Sequence, residues 1–339
     1  MIVVKWFFLI LPVVSTLNAL AENTPPPANT ETRPALQLLD GKQALAKMAL
    51  AMRTMNYQGT VAFLRDGKLE PMKYSHAANN GHEQEHLLSL NSPLREVVRE
   101  TGKVSCLYKA TQKLVVDHRP FERSFLIELP TDINQLDAVY EIKLAGEESI
   151  AMLPAYVVTI KPKDDLRYAR KVWLSQQWYL PLKVVVYDQD EEVLEELMFT
   201  ELEVKDALPF VGLKPANANA ALSSENNEEP VSQQMPFVLS VLPKGFKEVF
   251  FTRKPMHDLE QPVDHLLLSD GLASVSVYME HKNAAQPLVN LDSNRVQAID
   301  AVNFFSHTLG DFELTVMGEV PSETIRLIAD SVKLRDATR

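Results

Sequence analysis

Residues 57–69, Tyr-Gln-Gly-Thr-Val-Ala-Phe-Leu-Arg-Asp-Gly-Lys-Leu, decide the fold class. Tyr57, Val61 and Phe63 alternate with Gln58, Thr60 and Ala62. That period of two sends successive side chains to opposite faces of a strand. Asp66-Gly67 is a hairpin dipeptide, since a two-residue turn needs positive φ at both central positions. Strand-like runs follow at 69–76, 86–90, 95–100, 104–109, 115–117, 155–161, 170–174, 182–187 and 193–203. Many are separated by turn signals such as Asn79-Asn80-Gly81, Ser92-Pro93, Thr101-Gly102 and Lys163-Asp164-Asp165. Short strands in series with few helices imply one large antiparallel sheet.

Working outward, the sheet needs cover. In 182–187, Val184 and Val186 share one face while Lys183, Val185 and Tyr187 share the other. An apolar sheet face has to be buried against another layer. Two segments are available. One is a helix over 41–55, opened by an Asp40/Gln43 capping box and carrying Leu45, Met48, Ala49, Met52 and Met55 at helical spacing. The other is 120–140, which breaks the strand rhythm and reads as short helices and loops crossing the sheet. These cover less apolar face than so many strands offer. Either the sheet is curved and half-closed around an apolar, lipid-sized cavity, or it fills its own interior. Val61, Phe63, Leu88, Leu90, Trp173, Val184 and Val186 are the candidate cavity residues. The Met-rich stripe reads as core or as a lid over such a cavity.

The ends divide the chain. Residues 1–21 carry one cation, Lys5, an apolar run interrupted by Pro12, and a closing Ala19-Leu20-Ala21. This is a secretory signal peptide cut after Ala21, too short in its apolar run to span a bilayer. A polar, Pro-rich leader fills 22–35, the large domain spans 36–206, and a Pro- and Ser-rich linker covers 207–236. A small α+β domain over 237–335 follows. Its strands are expected near 247–253, 263–269, 272–281, 297–306 and 312–318, with a closing helix from about Pro321 striped by Ile325, Ile328, Ala329 and Val332.

Composition excludes several chemistries. With 34 basic and 45 acidic residues the net charge is −11, unsuited to neutralising nucleic-acid phosphates. A lone cysteine, Cys106, forbids an internal disulfide and multi-cysteine zinc sites, and its place between Val104 and Tyr108 reads as a small core residue. No nucleotide-cradling glycine loop is present, and no cofactor is implied. His82-Glu83-Gln84-Glu85-His86 matches a zinc-peptidase string, but it follows Asn-Gly and runs into an extended stretch, whereas that chemistry needs a helix. The acidic cluster from Asp188 to Glu196 lacks the glycine of a calcium loop and reads as a solvated turn. Two basic groups stand out: Arg95, Arg99, Lys103, Lys109, Lys113, Arg119 and Arg123, and then Lys161, Lys163, Arg167, Arg170 and Lys171. They are either solvated faces or a local site for anionic lipid headgroups.

The strings Ser92-Pro93-Leu94-Arg95-Glu96-Val97-Val98-Arg99, Trp173 with Leu180-Pro181-Leu182-Lys183, Leu242-Pro243-Lys244-Gly245-Phe246, 268–278 (LSDGLASVSVY) and Gly318-Glu319-Val320-Pro321 together resemble the RseB/MucB family. The resemblance covers about 44–333. It departs at Ser175-Gln176-Gln177 and at Asp190-Glu191-Glu192, where the family turns differ. It implies an α+β, mostly β fold: an unclosed antiparallel β-barrel with covering helices, like LolA and LolB, plus a small α+β C-terminal domain. It also implies a non-enzymatic periplasmic regulator. Such a protein binds the periplasmic domain of a membrane-spanning anti-sigma factor of the RseA or MucA type and shields it from proteolysis. It lets go when lipopolysaccharide or lipoprotein acyl chains bind, and a homodimer is compatible with the family. Ser269, Asp270 and Gly271 are then the candidate anti-sigma contact, or a purely structural turn. A lipid or lipoprotein carrier is the alternative, and a zinc peptidase through His82 and His86 a remote one.

Overall fold

The computed structural model describes residues 39–65, 67–91, 93–118, 124–214, 222–225, 235–255, 262–282, 295–299 and 301–335. The signal peptide and leader lie outside these residues, as do parts of the linker and Asp66, Ser92, Arg119 and Arg123. Helix α1 (Gly41–Thr54) starts at the capping box. Gln43 N donates to Asp40 Oδ1 at 2.8 Å, and Asp40 N donates to Gln43 Oε1 at 3.2 Å. Leu45, Met48, Ala49 and Met52 are buried, and Met55 falls just past the helix end.

Twelve strands form the first sheet. They are β1 (Asn56–Arg65), β2 (Lys68–Asn79), β3 (His82–Ser89), β4 (Arg95–Glu100), β5 (Lys103–Tyr108), β6 (Lys113–His118), β7 (Tyr140–Ile150), β8 (Leu153–Pro162), β9 (Ala169–Ser175), β10 (Pro181–Tyr187), β11 (Val193–Lys205) and β12 (Leu222–Glu225). The order is β12-β6-β5-β4-β3-β2-β1-β11-β10-β9-β8-β7. Every neighbouring pair is antiparallel except β12, which lies parallel to β6. Two meanders therefore meet at β1–β11, and the sheet stays open between β7 and the β6/β12 end. The chain passes from β6 to β7 and so must travel between these two ends. That route is why the 124–139 segment, with its short 3-10 helix Ile133–Ala138, crosses the concave side.

Two strands of this sheet escape the sequence reading. β7 is mostly exposed, so its charged stretch has no apolar period, as expected of a sheet edge. β12 lies inside the expected linker. The linker's start is also fastened: Gln84 Nε2 donates to Val211 O at 3.1 Å, and Val211 N donates to Gln84 Oε1 at 2.6 Å. Cys106 is corrected as well. It is half-buried, and Ser105 and Leu107 occupy the inner face of β5 instead.

The core joins Leu45, Met48 and Met52 of α1, Leu126, Ile127, Ile133 and Leu136 of the crossing segment, and sheet residues including Val61, Tyr74, Val172, Leu174, Val184 and Phe199. The surplus apolar face is thus covered by packed side chains. One member, Leu272, comes from the far half of the chain.

That half begins with β13 (Phe237–Leu239), which pairs with β20 (Val332–Leu334). Its main sheet holds β14 (Lys247–Pro255), β15 (Pro262–Ser269), β16 (Ser274–His281), β17 (Gln297–Ile299), β18 (Val302–Leu309) and β19 (Phe312–Gly318) in the order β14-β15-β16-β19-β18-β17. The single strand expected over 297–306 is two, β17 and β18. Helix α2 (Ser322–Ser331) follows Pro321 and buries Ile325, Ile328 and Ala329 against Leu266, Val275, Val277 and Val316.

Candidate functional site

A cleft of about 660 Å³ opens between the two halves. One wall is Ala49, Met52 and Arg53 of α1 with Glu83, Glu85 and Arg99 of β3 and β4. The crossing segment supplies Ile127, Pro130, Thr131 and Gln135. The opposite wall is Gly245, Lys247, Glu248 and Val249 with the turn Ser269-Asp270-Gly271.

That turn is built by its own side chains. Ser269 Oγ donates to Ala273 O at 3.0 Å and accepts from Gly271 N at 3.0 Å. Asp270 Oδ1 accepts from the amides of Leu272 (3.0 Å) and Ala273 (2.8 Å). Its Oδ2 accepts from Tyr140 OH at 2.9 Å and from Arg167 Nε at 2.6 Å. Both ion-pair partners have fully buried side chains. Gly271 has φ of +97°, and a Cβ there would meet Pro130 at 3.3 Å. A glycine fits because the left-handed region disfavours other residues and the crossing segment is already in contact. The turn pushes Leu272 into the first sheet's core.

Arg167 joins three segments. Its Nη1 donates to Asp164 Oδ1 (2.8 Å) and Oδ2 (2.6 Å), Nη2 donates to Lys244 O, and its guanidinium lies 5.0 Å from the Phe246 ring centre. Burial works against its charge, but the bonds and charge of Asp270 outweigh burial and hold its pKa above the ordinary value. Burial and the Asp270 charge raise the Tyr140 phenol well above its usual value, so Tyr140 stays a donor.

A second buried carboxylate pins the other end of the crossing segment. Glu85 accepts from Tyr74 OH (3.0 Å), Arg99 Nε (3.0 Å), Ser124 Oγ (2.5 Å) and Phe125 N (2.9 Å). Burial first, then the Glu85 charge, pushes the Tyr74 phenol upward. His76 stacks on Tyr57 and its Nδ1–H donates to Met55 O at 2.7 Å. Glu83 lies 3.6 Å from His76 Nε2, and the nearby His76 and the Arg99 charge lower its pKa against the opposing effect of burial.

The candidate cavity residues scatter. Val61 and Val184 belong to the packed core, and Phe63 is half-buried against it. Val186, farther along the same face, packs instead on Tyr168 and Ala301. Trp173 points the other way, into a separate cluster with Ala155, Val157, Leu182 and Val185, and its Nε1 donates to Glu148 at 2.8 Å. Leu88 pairs with Lys73, whereas its neighbour Leu87 pairs with core Tyr74 and packs inward. Leu90 is 43% exposed. Trp173, Leu88 and Leu90 are therefore corrected: strand parity places Trp173 and Leu88 off the concave face, and Leu90 lies exposed just past the end of β3. The His82–His86 string lies on β3, where residues four apart stand about 13 Å from each other. His86 Nε2–H donates to Glu96 at 2.8 Å, and no metal-holding group of three such side chains occurs among the described residues.

Sequence reasoning missed Arg167 and Glu85 as buried pins. It placed Arg167 in a basic group read as a solvated face or an anionic-headgroup site, and left Glu85 inside the His82–His86 string read as extended. The Asp164-x-x-Arg167 spacing was the available signal for a local pair, since charge counting carries no information on burial. Among the described members of the first basic group, Arg99 meets Glu85 and Lys109 meets Glu96.

Models of the MucB/RseB N-terminal and C-terminal domains match residues 40–220 and 231–333. The chain is 28% identical over 313 residues to the sigma-E factor regulatory protein RseB of Salmonella typhimurium, covering 91% of this chain and 93% of that one. It is 29% identical over 316 residues to the sigma factor AlgU regulatory protein MucB of Pseudomonas aeruginosa, covering 88% and 93%. Among solved structures, the Pseudomonas aeruginosa MucA/MucB complex matches with a TM-score of 0.65 and 26% identity over 88% of this chain and 99% of that one. MucB by itself matches with a TM-score of 0.59 over 87% and 98%.

Proposed function

Because the chain belongs to the MucB/RseB family, with both domain models matched in order, we propose that it is an exported, periplasmic regulator of sigma-factor signalling. Its interdomain cleft receives the periplasmic region of a membrane-spanning anti-sigma factor of the MucA/RseA type. Occupation shields that region from regulated proteolysis and keeps the envelope-stress sigma factor repressed. The observation that carries this reading is the likeness, across both sheets, to MucB solved with MucA bound. The cleft suits an extended chain: apolar Met52, Ile127 and Pro130 lie beside Arg53, Lys247 and Glu248.

Release by lipopolysaccharide or lipoprotein acyl chains follows from the crossing segment. Leu126, Ile133 and Leu136 face the core, Ile127 touches both core and cleft, and Glu128, Pro130, Thr131 and Gln135 line the cleft. An acyl chain entering against Val61, Phe63 and Val184 has to displace the first set, and the second set moves with it. Two ligands that prefer different placements of one segment oppose each other by linkage.

The test uses the purified mature protein and the periplasmic region of the anti-sigma factor encoded by the same organism. A stable complex that slows cleavage of that region, and that dissociates on adding lipid A, is the expected result. Absence of a complex, or a complex indifferent to every acylated ligand, contradicts the corresponding half of the proposal.

A further inference from the structure

We infer that Arg167 is a positioning residue: without lining the cleft, it sets the separation of the cleft walls and through it the affinity of the occupant. Arg167 is absent from the lining, yet both short stretches of the far wall hang from its guanidinium. Nε holds Asp270 of the Ser269–Gly271 turn, and Nη2 holds the carbonyl of Lys244, next to lining residue Gly245. Gly245 has φ of +91°, and a Cβ there would sit 2.9 Å from Val139 and 3.3 Å from Arg167 Nη2. The glycine thus lets the turn close onto the cation and onto the end of the crossing segment. Tyr140, which follows Val139, donates to the same Asp270 oxygen. One planar fork therefore fixes two pieces of the small half against the segment that forms the opposite wall. A lysine keeps the charge but cannot reproduce three fixed directions.

Other ties keep the halves docked when this fork is lost. Asn303 Nδ2 donates to Tyr168 OH at 2.8 Å, Thr324 Oγ1 donates to Leu166 O at 2.8 Å, and Arg170 meets Glu319 at 3.3 Å. Loss of Arg167 is thereby a local loosening at the cleft.

The experiment places spin labels on exposed lining residues of opposite walls, Thr131→Cys and Lys247→Cys, in a Cys106→Ser background. Distances are read without any partner, and binding of the anti-sigma periplasmic region is measured separately. Arg167→Lys is expected to broaden a single narrow distance distribution and weaken binding about tenfold, with far-UV circular dichroism unchanged. Should Arg167→Lys fail to fold, Asp164→Asn releases one arm of the fork at a half-exposed site and is expected to broaden the distribution less, in the same direction. A folded variant with the parental distribution overturns the inference, as does a broadened distribution with undiminished binding. The affinity half rests on the proposed occupancy, but the distance half does not. Wild-type protein that binds no anti-sigma region sinks the proposed function while leaving the wall measurement to stand or fall alone.

Discussion

Leu272→Ala tests whether the two halves share a core. Leu272 is 1% exposed and belongs by sequence to the small half, yet it packs among residues of the first sheet, α1 and the crossing segment. Removing three carbon groups forfeits about 2.4 kcal/mol of transfer free energy at ~0.8 per group. An incompletely collapsed cavity adds about 1 kcal/mol, for a total of about 3 kcal/mol. Tryptophan emission gives a directional readout. Of the three tryptophans, Trp6 lies in the expected export signal, while Trp173 and Trp178 sit in the first sheet and its β9–β10 turn. A substitution in the small half should therefore shift the urea transition reported by the large half. A fluorescence transition displaced by less than about 1 kcal/mol, with only the remaining circular-dichroism signal weakened, would refute the shared core.

Glu85→Gln leaves the Arg99 cation buried beside a neutral amide and should cost about 3 kcal/mol; adding Arg99→Met should recover part of it in the same denaturation assay. Gly271→Ala should destabilise by about 1–2 kcal/mol through strain at positive φ, measured as a lower urea midpoint. Stability should also fall on acidification. Glu83 is held below the ordinary carboxylate range by the neighbouring His76 and Arg99, and Glu96 by Lys109 and His86, each against the opposing effect of burial. A carboxylate with a depressed folded-state pKa stabilises above its unfolded value of about 4.3, and that contribution disappears as pH drops through the folded value. Glu83→Gln should flatten the loss measured between pH 5 and about 3, relative to the parent.

The period of two in β1, β2 and β10, the capping box of α1 and the helix after Pro321 were readable because local rules govern them. So was the existence of a crossing segment, through its broken rhythm. β7 was not readable, since an edge strand buries one side at most and carries charge where an inner strand carries valine. Trp173, Leu88 and Leu90 show a second limit. Apolar character does not say which face a residue takes; register does, and it is fixed by pairings such as Tyr74 with Leu87. The seam was the least legible part. Asp270 was flagged in a turn, but its partners Tyr140 and Arg167 stand 130 and 103 residues away. No local spacing announces a contact of that range.

The central claim, that the interdomain cleft holds the anti-sigma chain, is tested most directly by site-specific photo-crosslinking. A photoreactive residue at Ala138 or Val249, both in the cleft, should form covalent adducts with the anti-sigma periplasmic region. The same residue at Met152, 96% exposed on the β7–β8 hairpin tip, should form none. Adducts from Met152 with none from Ala138 or Val249 would contradict the account.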